Sequence, residues 1–287
     1  MDPYPPDSSD PWLGACRSAA GKLRAMLAAL PTTAERAAET GERGGGGDRT
    51  LVIDRAAEDL VLAELDAVRA AGERFTVVSE ERGEVSYGGD GLRVVIDPID
   101  GSLNAKRGML GHALSLAVAD GPTVGDVSFG YVYDLGAGEE WVARRGAGAW
   151  LDGRRLDPAL PERRTRDGRL EILAIESADP RWVAASMEEL VDQAHRLRAT
   201  GAIALALCQV AAARADGMVS LRACRSFDAA AGALIVHEAG GEVAFPRCAE
   251  PLGMPLDLGA HSPVVAARTP ESLAALAGVP AGASSPS

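Results

Sequence analysis

Between Val94 and Asn104 the chain reads VVIDPIDGSLN, an apolar run that ends on two aspartates three residues apart. Val94, Val95 and Ile96 read as the end of a strand, and Pro98, with a fixed φ and no N–H, is expected to stop the ladder. Asp97 and Asp100 would then project from a turn whose curvature Gly101 permits. Two carboxylates and the carbonyl of Ile99 aimed at one spot form an all-oxygen cluster of the kind hard cations prefer, and a bound metal would cancel the repulsion between the acids. Taken alone, the segment is described as well by an Asp-Gly turn leaving a strand.

Other acids stand in comparable places. Ser79, Glu80 and Glu81 follow the apolar run FTVV as Asp97 follows VVI, so two neighbouring strands could bring their acidic ends together. Asp228 lies at the start of the apolar helix pattern SFDAAAGALIVHEAGG, and Asp54 opens a second one in LVIDRAAED. Each of these two, read alone, is an N-cap.

The elements that must position these acids fall into two textures. A first helix is expected from Asp10–Pro11 to about Pro31, with Trp12, Ala15, Ala19, Leu23 and Leu27 on one face. The stretch from Thr40 to Asp48 (TGERGGGGD) reads as a mobile loop without a regular element, and a helix from about Asp54 ends at Gly72. FTVVS, LRVVI, ALSLAVA, VSFGYVY and EEWVARR then look like strands of one mixed or antiparallel sheet. From about Leu170 the rhythm becomes α/β: the strand EILAIES, a helix over Trp182 to His195, a small-residue helix from Gly201, the strand GMVSL and a helix from Phe227 to Ala239. The expected organisation is a disordered tail over 1–9, an α+β half over 10–160 with most of the metal ligands, an α/β half over 161–277 with Asp228, and a flexible tail over 278–287 too small and polar to pack.

Taken together, LVIDRAAE, VVSEE, DPIDGSLN and FDAAAGALIVHEAGG resemble the inositol monophosphatase superfamily of magnesium-dependent, lithium-sensitive sugar and inositol phosphatases, over roughly Asp10 to Ala267. Each motif is modest by itself; four in this order and spacing are specific. The resemblance implies a layered αβαβα sandwich of the inositol monophosphatase and fructose-1,6-bisphosphatase type, a homodimer, and two or three Mg²⁺ ions held between the halves. It implies Glu80, Asp97, the Ile99 carbonyl, Asp100 and Asp228 as metal ligands, with Asp97 bridging two ions. Ser102 and Asp54 would orient and deprotonate the attacking water, and the N–H groups of Gly101 and Ser102 would hold phosphate oxygens at a helix start. Gly201, Ala202 and Arg222 are the candidate substrate contacts. The implied reaction is hydrolysis of a small phosphate monoester such as inositol monophosphate or fructose 1,6-bisphosphate, with histidinol phosphate and 3'-phosphoadenosine 5'-phosphate as alternative substrates. Metal ions suit this chemistry because they neutralise the phosphoryl group, activate a water and stabilise the leaving alkoxide.

The chain also departs from the family pattern. The family's lysine and D-x-x-T-x-x-D before the helix are replaced by GERGGGGDRTLVID, so an altered water-activating loop is expected. Ala105 and Lys106 stand where inositol-preferring members often carry an aromatic residue, and Phe227 where many carry tryptophan. Those members have a glutamate seven residues before the aspartate matching Asp228; here that position is Leu221, which cannot bond ring hydroxyls, while Arg222 suits a second phosphate. A relaxed sugar phosphatase is therefore expected. The haloacid dehalogenase type of phosphatase is a poorer fit, since its acids are separated by one residue and not two. A Ser-His-Asp hydrolase lacks a histidine placed near Ser102, and a non-catalytic metal-binding homologue is kept open by the altered loop.

Composition narrows the rest. The 29 Lys and Arg against 41 Asp and Glu give a net charge of -12, which leaves no basic stripe for nucleic acid. The longest charge-free apolar stretch, Thr200 to Ala213, is shorter than the ~18 to 20 residues that span a bilayer. The N-terminus has no signal-peptide pattern, so a cytoplasmic protein is expected. Cys16, Cys208, Cys224 and Cys248 show no metal or disulfide spacing.

Overall fold

The computed structural model describes residues 10–37, 39–43, 49–89 and 91–279, with the side chains of 39–43 and 49–51 left aside. Helix α1 (Pro11–Ala28) begins where the Asp10 carboxylate accepts the N–H of Trp12 at 2.9 Å, and it buries Trp12, Leu13, Cys16, Ala19, Leu23 and Leu27 along one face. A single helical turn α2 (Thr33–Arg36) follows, then the ribbon β1 (Glu39–Arg43) and β2 (Arg49–Leu51), then α3 (Val52–Ala70). The flanks of the glycine-rich segment thus do form an element. The backbone on either side of the four-glycine run pairs antiparallel, while 44–48 lie outside the described residues. Helix α3 starts two residues before Asp54, which sits in its first turn and is not the N-cap.

The large sheet contains β3 (Phe75–Ser79), β4 (Gly83–Ser86), β5 (Leu92–Asp100), β6 (Ala113–Ala119), β7 (Val127–Asp134), β8 (Glu140–Arg144), β9 (Gly148–Leu151) and β10 (Arg154–Arg155), with the short helix α4 (Ser102–Arg107) between β5 and β6. Its order is β10-β9-β8-β7-β6-β5-β3-β4, and β3 beside β5 is its one parallel pair. Next come β11 (Leu170–Glu176), α5 (Pro180–Ala185), α6 (Met187–Gln193), β12 (Ala194–Arg198), α7 (Ile203–Ala211), β13 (Gly217–Ser220), α8 (Ser226–Glu238), β14 (Glu242–Ala244), β15 (Val265–Ala267) and α9 (Pro270–Leu276). The strands of this part form a second sheet in the order β12-β11-β13-β15-β14.

Three cores define five layers. Helices α1 and α3 cover one face of the large sheet, burying Phe75, Val94, Ile96, Leu114 and Phe129 beneath them. Helices α7 and α8 fill the space between the sheets, against Val78, Val95 and Ala117 on one side and Met218 and Ala266 on the other. Trp182 of α5, Leu190 of α6 and Leu276 of α9 close the outer face of the second sheet over Leu173, Val219 and Val265. The result is the αβαβα sandwich. Among the described residues all four cysteines are free thiols, and no helix is long and apolar enough to cross a membrane.

Two expectations fail here for physical reasons. The helix expected over Trp182 to His195 is two short helices and then an edge strand, because Ala194–Arg198 pairs in parallel with β11 and that ladder outweighs the local helical pattern. At the other end, Val279 is fully buried in the outer core, so packing continues past Gly278; residues 280–287 lie outside the described set.

The central layer is tight. A Cβ at Gly130 of β7 would stand 2.9 Å from the Ala231 carbonyl oxygen of α8, a backbone atom that cannot turn aside. Gly130→Ala is expected to push α8 off the sheet and cost ~1–3 kcal/mol. Urea unfolding would measure this, and a loss below ~0.5 kcal/mol would mean that the layer is looser than its spacing implies.

Candidate metal and phosphate site

The two aspartates reach one place through a bulge and not through a turn. Strand β5 does not end at Pro98: Asp97 pairs with Ser115 and Asp100 with Ala113, so three steps along β5 match two along β6. Side chains alternate along a strand, and residues three apart would normally point to opposite faces; one extra residue restores them to the same face. Burial follows this shift. Val95 lies in the α7/α8 core and Ile96 in the α1/α3 core, while past the bulge Ile99 belongs to the α1/α3 core. Pro98 falls inside the bulge, where a missing N–H costs the ladder nothing. Asp97 secures the bend by accepting the Ile99 N–H at 2.9 Å.

Neighbouring elements deliver the other acids. Because β3 lies parallel to β5, with Ser79 opposite Ile96, Glu80 emerges beside Asp97. The turn that carries Glu80 is fixed from α3, where fully buried Glu58 accepts hydrogen bonds from the Ser79 hydroxyl and the Arg82 N–H. Ser115, opposite Asp97, donates its hydroxyl at 3.2 Å to the Phe227 carbonyl, which seats the start of α8 on the sheet. Asp228 is the third residue of that helix, not its cap, and accepts the Arg225 N–H at 3.0 Å. Carboxylate oxygens of Asp97, Asp100 and Asp228 lie within 4.8 Å of one another. Opposed ligands of an Mg²⁺ ion stand about 4.2 Å apart, so this hard-oxygen set fits such a cation with little movement.

Electrostatics agree with a cation site. Burial first, then the carboxylates of Glu80, Asp100 and Asp228, hold Asp97 far above the usual aspartate range. Asp100 is raised by burial and then by Asp228, against the pull of the Ala204 N–H at 2.7 Å. Glu80 is pushed up to about 8, by burial and then by Asp228. Arg225 opposes that rise, its Nη1 standing 3.2 Å from Glu80 Oε1. Without a cation these acids destabilise one another's charged forms, which is the condition a divalent ion relieves.

Two spaces flank the cluster. On one side Asp54, Glu80, Glu81, Asp97, Pro98 and Ile99 line a cavity of about 10 Å³, close to the room one water needs. On the other, a cleft of about 600 Å³ opens over Asp100, Asp228, Glu176, Gly201, Ile203 and Arg222. Asp54, Glu80, Asp97 and Ile99 are thus brought together, and Asp100 and Asp228 face the cleft. Ser102, half-buried at the first position of α4, lines neither space; Gly101 precedes it with φ 86°, and the first N–H groups of the helix have no intrahelical acceptor.

The candidate substrate contacts divide between the cleft and the interior. Gly201 lines the cleft, but Ala202 is buried against Gly101, where a Cβ would come within 3.2 Å of its methyl. Leu221 is fully buried in the outer core of the second sheet, so its side chain does not line the cleft. Its neighbour Arg222 takes the opposite side, lining the cleft with its guanidinium 5.3 Å from the Trp182 ring. Glu176, which sequence reading passed over, is buried beside the cleft and pushed up to about 7 by burial. Its signal was present, since EILAIES runs an apolar strand into an acid as VVSEE and VVID do.

Comparison with known proteins agrees with this geometry. The inositol monophosphatase family matches residues 11–279. A fructose-1,6-bisphosphatase/inositol-1-monophosphatase of Archaeoglobus fulgidus is 34% identical over 230 residues, covering 79% of this chain and 81% of that protein. The Nus factor SuhB of Escherichia coli is 33% identical over 202 residues, 69% and 72% of the two chains. Among solved structures, the extragenic suppressor protein suhB of Bartonella henselae superposes with a TM-score of 0.72 at 26% identity, covering 93% of this chain and 97% of the other. An inositol monophosphatase-fructose 1,6 bisphosphatase gives 0.79 at 23%, over 93% and 99%, a likeness of fold. A match over nearly the whole described chain, with the acids of its motifs gathered at one place, makes this protein a member of the inositol monophosphatase family.

Proposed function

We propose that the protein is a magnesium-dependent phosphatase that hydrolyses a small phosphorylated sugar or polyol by direct attack of water. The observation that carries this reading is the convergence of Asp97, Asp100 and Asp228 between a water-sized cavity and an open cleft. Glu80, Asp97, the Ile99 carbonyl, Asp100 and Asp228 would hold the ions, with Asp97 shared. When bound, they neutralise the phosphoryl group, activate the attacking water and stabilise the leaving alkoxide. Asp54, lining the small cavity, holds that water and takes its proton. The N–H groups of Gly101 and Ser102 bind phosphate oxygens, and the substrate body lies in the cleft over Gly201.

Arg222 sets the substrate class. Its guanidinium faces the cleft, where Trp182 supports it and its charge stabilises the nearby Asp179 carboxylate. That favours a second phosphate, as in fructose 1,6-bisphosphate, over a neutral ring. The Archaeoglobus fulgidus relative is named for both substrates, which is compatible with either.

A second reading has its own observation. Arg225 pairs with Glu80 inside the acidic cluster, as would suit a protein that rests without metal, and several relatives are named as Nus factors. Phosphate release from a panel of monoesters in Mg²⁺ separates the two.

Asp97→Asn should abolish turnover while the fold persists, and its metal-free Tm should stay or rise because one repelling charge is gone. More than about a tenth of wild-type activity at saturating Mg²⁺ would remove the shared-ligand role, since that is a deficit of only ~1.4 kcal/mol. Arg222→Ala should lower kcat/KM for fructose 1,6-bisphosphate about ten- to hundredfold and leave inositol 1-phosphate nearly unchanged. Equal losses on both substrates, or a hundredfold preference of the wild type for inositol 1-phosphate, would sink the bisphosphate assignment.

A further inference from the structure

The segment from Thr200 to Ala204 runs from the end of β12 into the first turn of α7 and is gripped from three directions. Glu176, at the end of β11, accepts the Thr200 N–H on one carboxylate oxygen and the Gly201 N–H on the other, each at 2.9 Å. Asn104 of α4 donates from Nδ2 to the carbonyls of Thr200 and Gly111, each at 2.8 Å. Asp100 accepts the Ala204 N–H at 2.7 Å. The fit leaves no slack, since a Cβ at Gly201 would meet Asn104 Nδ2 at 2.6 Å and one at Gly111 would meet the Thr200 carbonyl at 2.6 Å.

We infer that Glu176 and Asn104 are positioning residues that couple cation binding at Asp100 to the shape of the cleft wall at Gly201 and Ile203. The inference rests on the phosphatase reading above. A ligand carboxylate that also accepts an outer hydrogen bond is oriented by it, so the Ala204 N–H fixes the direction in which Asp100 presents its oxygens. The other end of the same short segment forms the wall on which a substrate would rest. Coupling of this kind is reciprocal: a cation on Asp100 steadies the wall, and a steadied wall favours the cation. Only a carboxylate serves at Glu176, because an amide offers one oxygen and turns its NH₂ toward the second N–H.

Hydrogen–deuterium exchange over residues 200–204 of the full chain, with and without Mg²⁺, reads this coupling without turnover. In the wild type Mg²⁺ should slow exchange of the segment about tenfold, and in Glu176→Gln by less than about twofold. Asn104→Ala, which loosens the segment from its other side, should behave alike. Both variants should raise KM about tenfold and keep kcat within about threefold. Equal protection by Mg²⁺ in the wild type and both variants overturns the coupling. Loss of protection in the variants of a protein that releases no phosphate from any substrate would leave the coupling standing and remove the phosphatase reading.

Discussion

The mutual repulsion of carboxylates buried at one spot is the constraint on which the rest of this structure depends. Burial of Asp97 and Asp100, with Glu80 and Asp228 close by, is unfavourable to the charged forms of Asp97, Asp100 and Glu80. A fold that accepts this cost must hold the acids by connections strong enough to resist their separation. The acids are accordingly fixed by three elements, β5 for Asp97 and Asp100, the end of β3 for Glu80 and α8 for Asp228. The bulge turns Asp100 onto the face of Asp97, the parallel β3–β5 pair sets Glu80, and the Ser115 bond to Phe227 seats Asp228.

These connections explain the position of the two middle helices. Helices α7 and α8 both start at the acidic cluster, α7 by giving Ala204 N–H to Asp100 and α8 by carrying Asp228. Close contact along their length, as at Gly130 against Ala231, transmits the large sheet's rigidity to both helix starts. The cleft then lies where the second sheet ends, with Glu176 at the tip of β11 and Arg222 two residues past β13, so that one sheet supplies most of the clustered acids and the other much of the cleft wall.

Much of this was legible in the sequence because the signal was local. An apolar run ending on an acid marked Glu80, Asp97 and Asp100, and helix periodicity marked Asp54 and Asp228. What was missed depended on partners distant in the chain. Ala194–Arg198 is a strand only because β11 lies beside it, and the bulge at Pro98 exists only against β6. Leu221, seven residues before Asp228, lies in the outer core just past the end of β13, while its neighbour Arg222 faces the cleft. Glu58 gave no sign at all, since a glutamate in an amphipathic helix reads as solvated until the buried turn it supports is known.

Stability against pH, with and without metal, tests most directly the claim that the cluster is a cation site. Acids whose folded pKa is raised bind protons in the folded state that the unfolded chain has released, so their contribution to stability is lost as pH rises through the folded value. Between about pH 6 and about pH 9, above the range of ordinary carboxylates, the Tm of the chelator-treated protein should fall, with Glu80 passing its value of about 8 in that window. Saturating Mg²⁺ should abolish the fall and give its largest stabilisation at the alkaline end. Parallel Tm curves with and without Mg²⁺ would contradict a cation site at these residues.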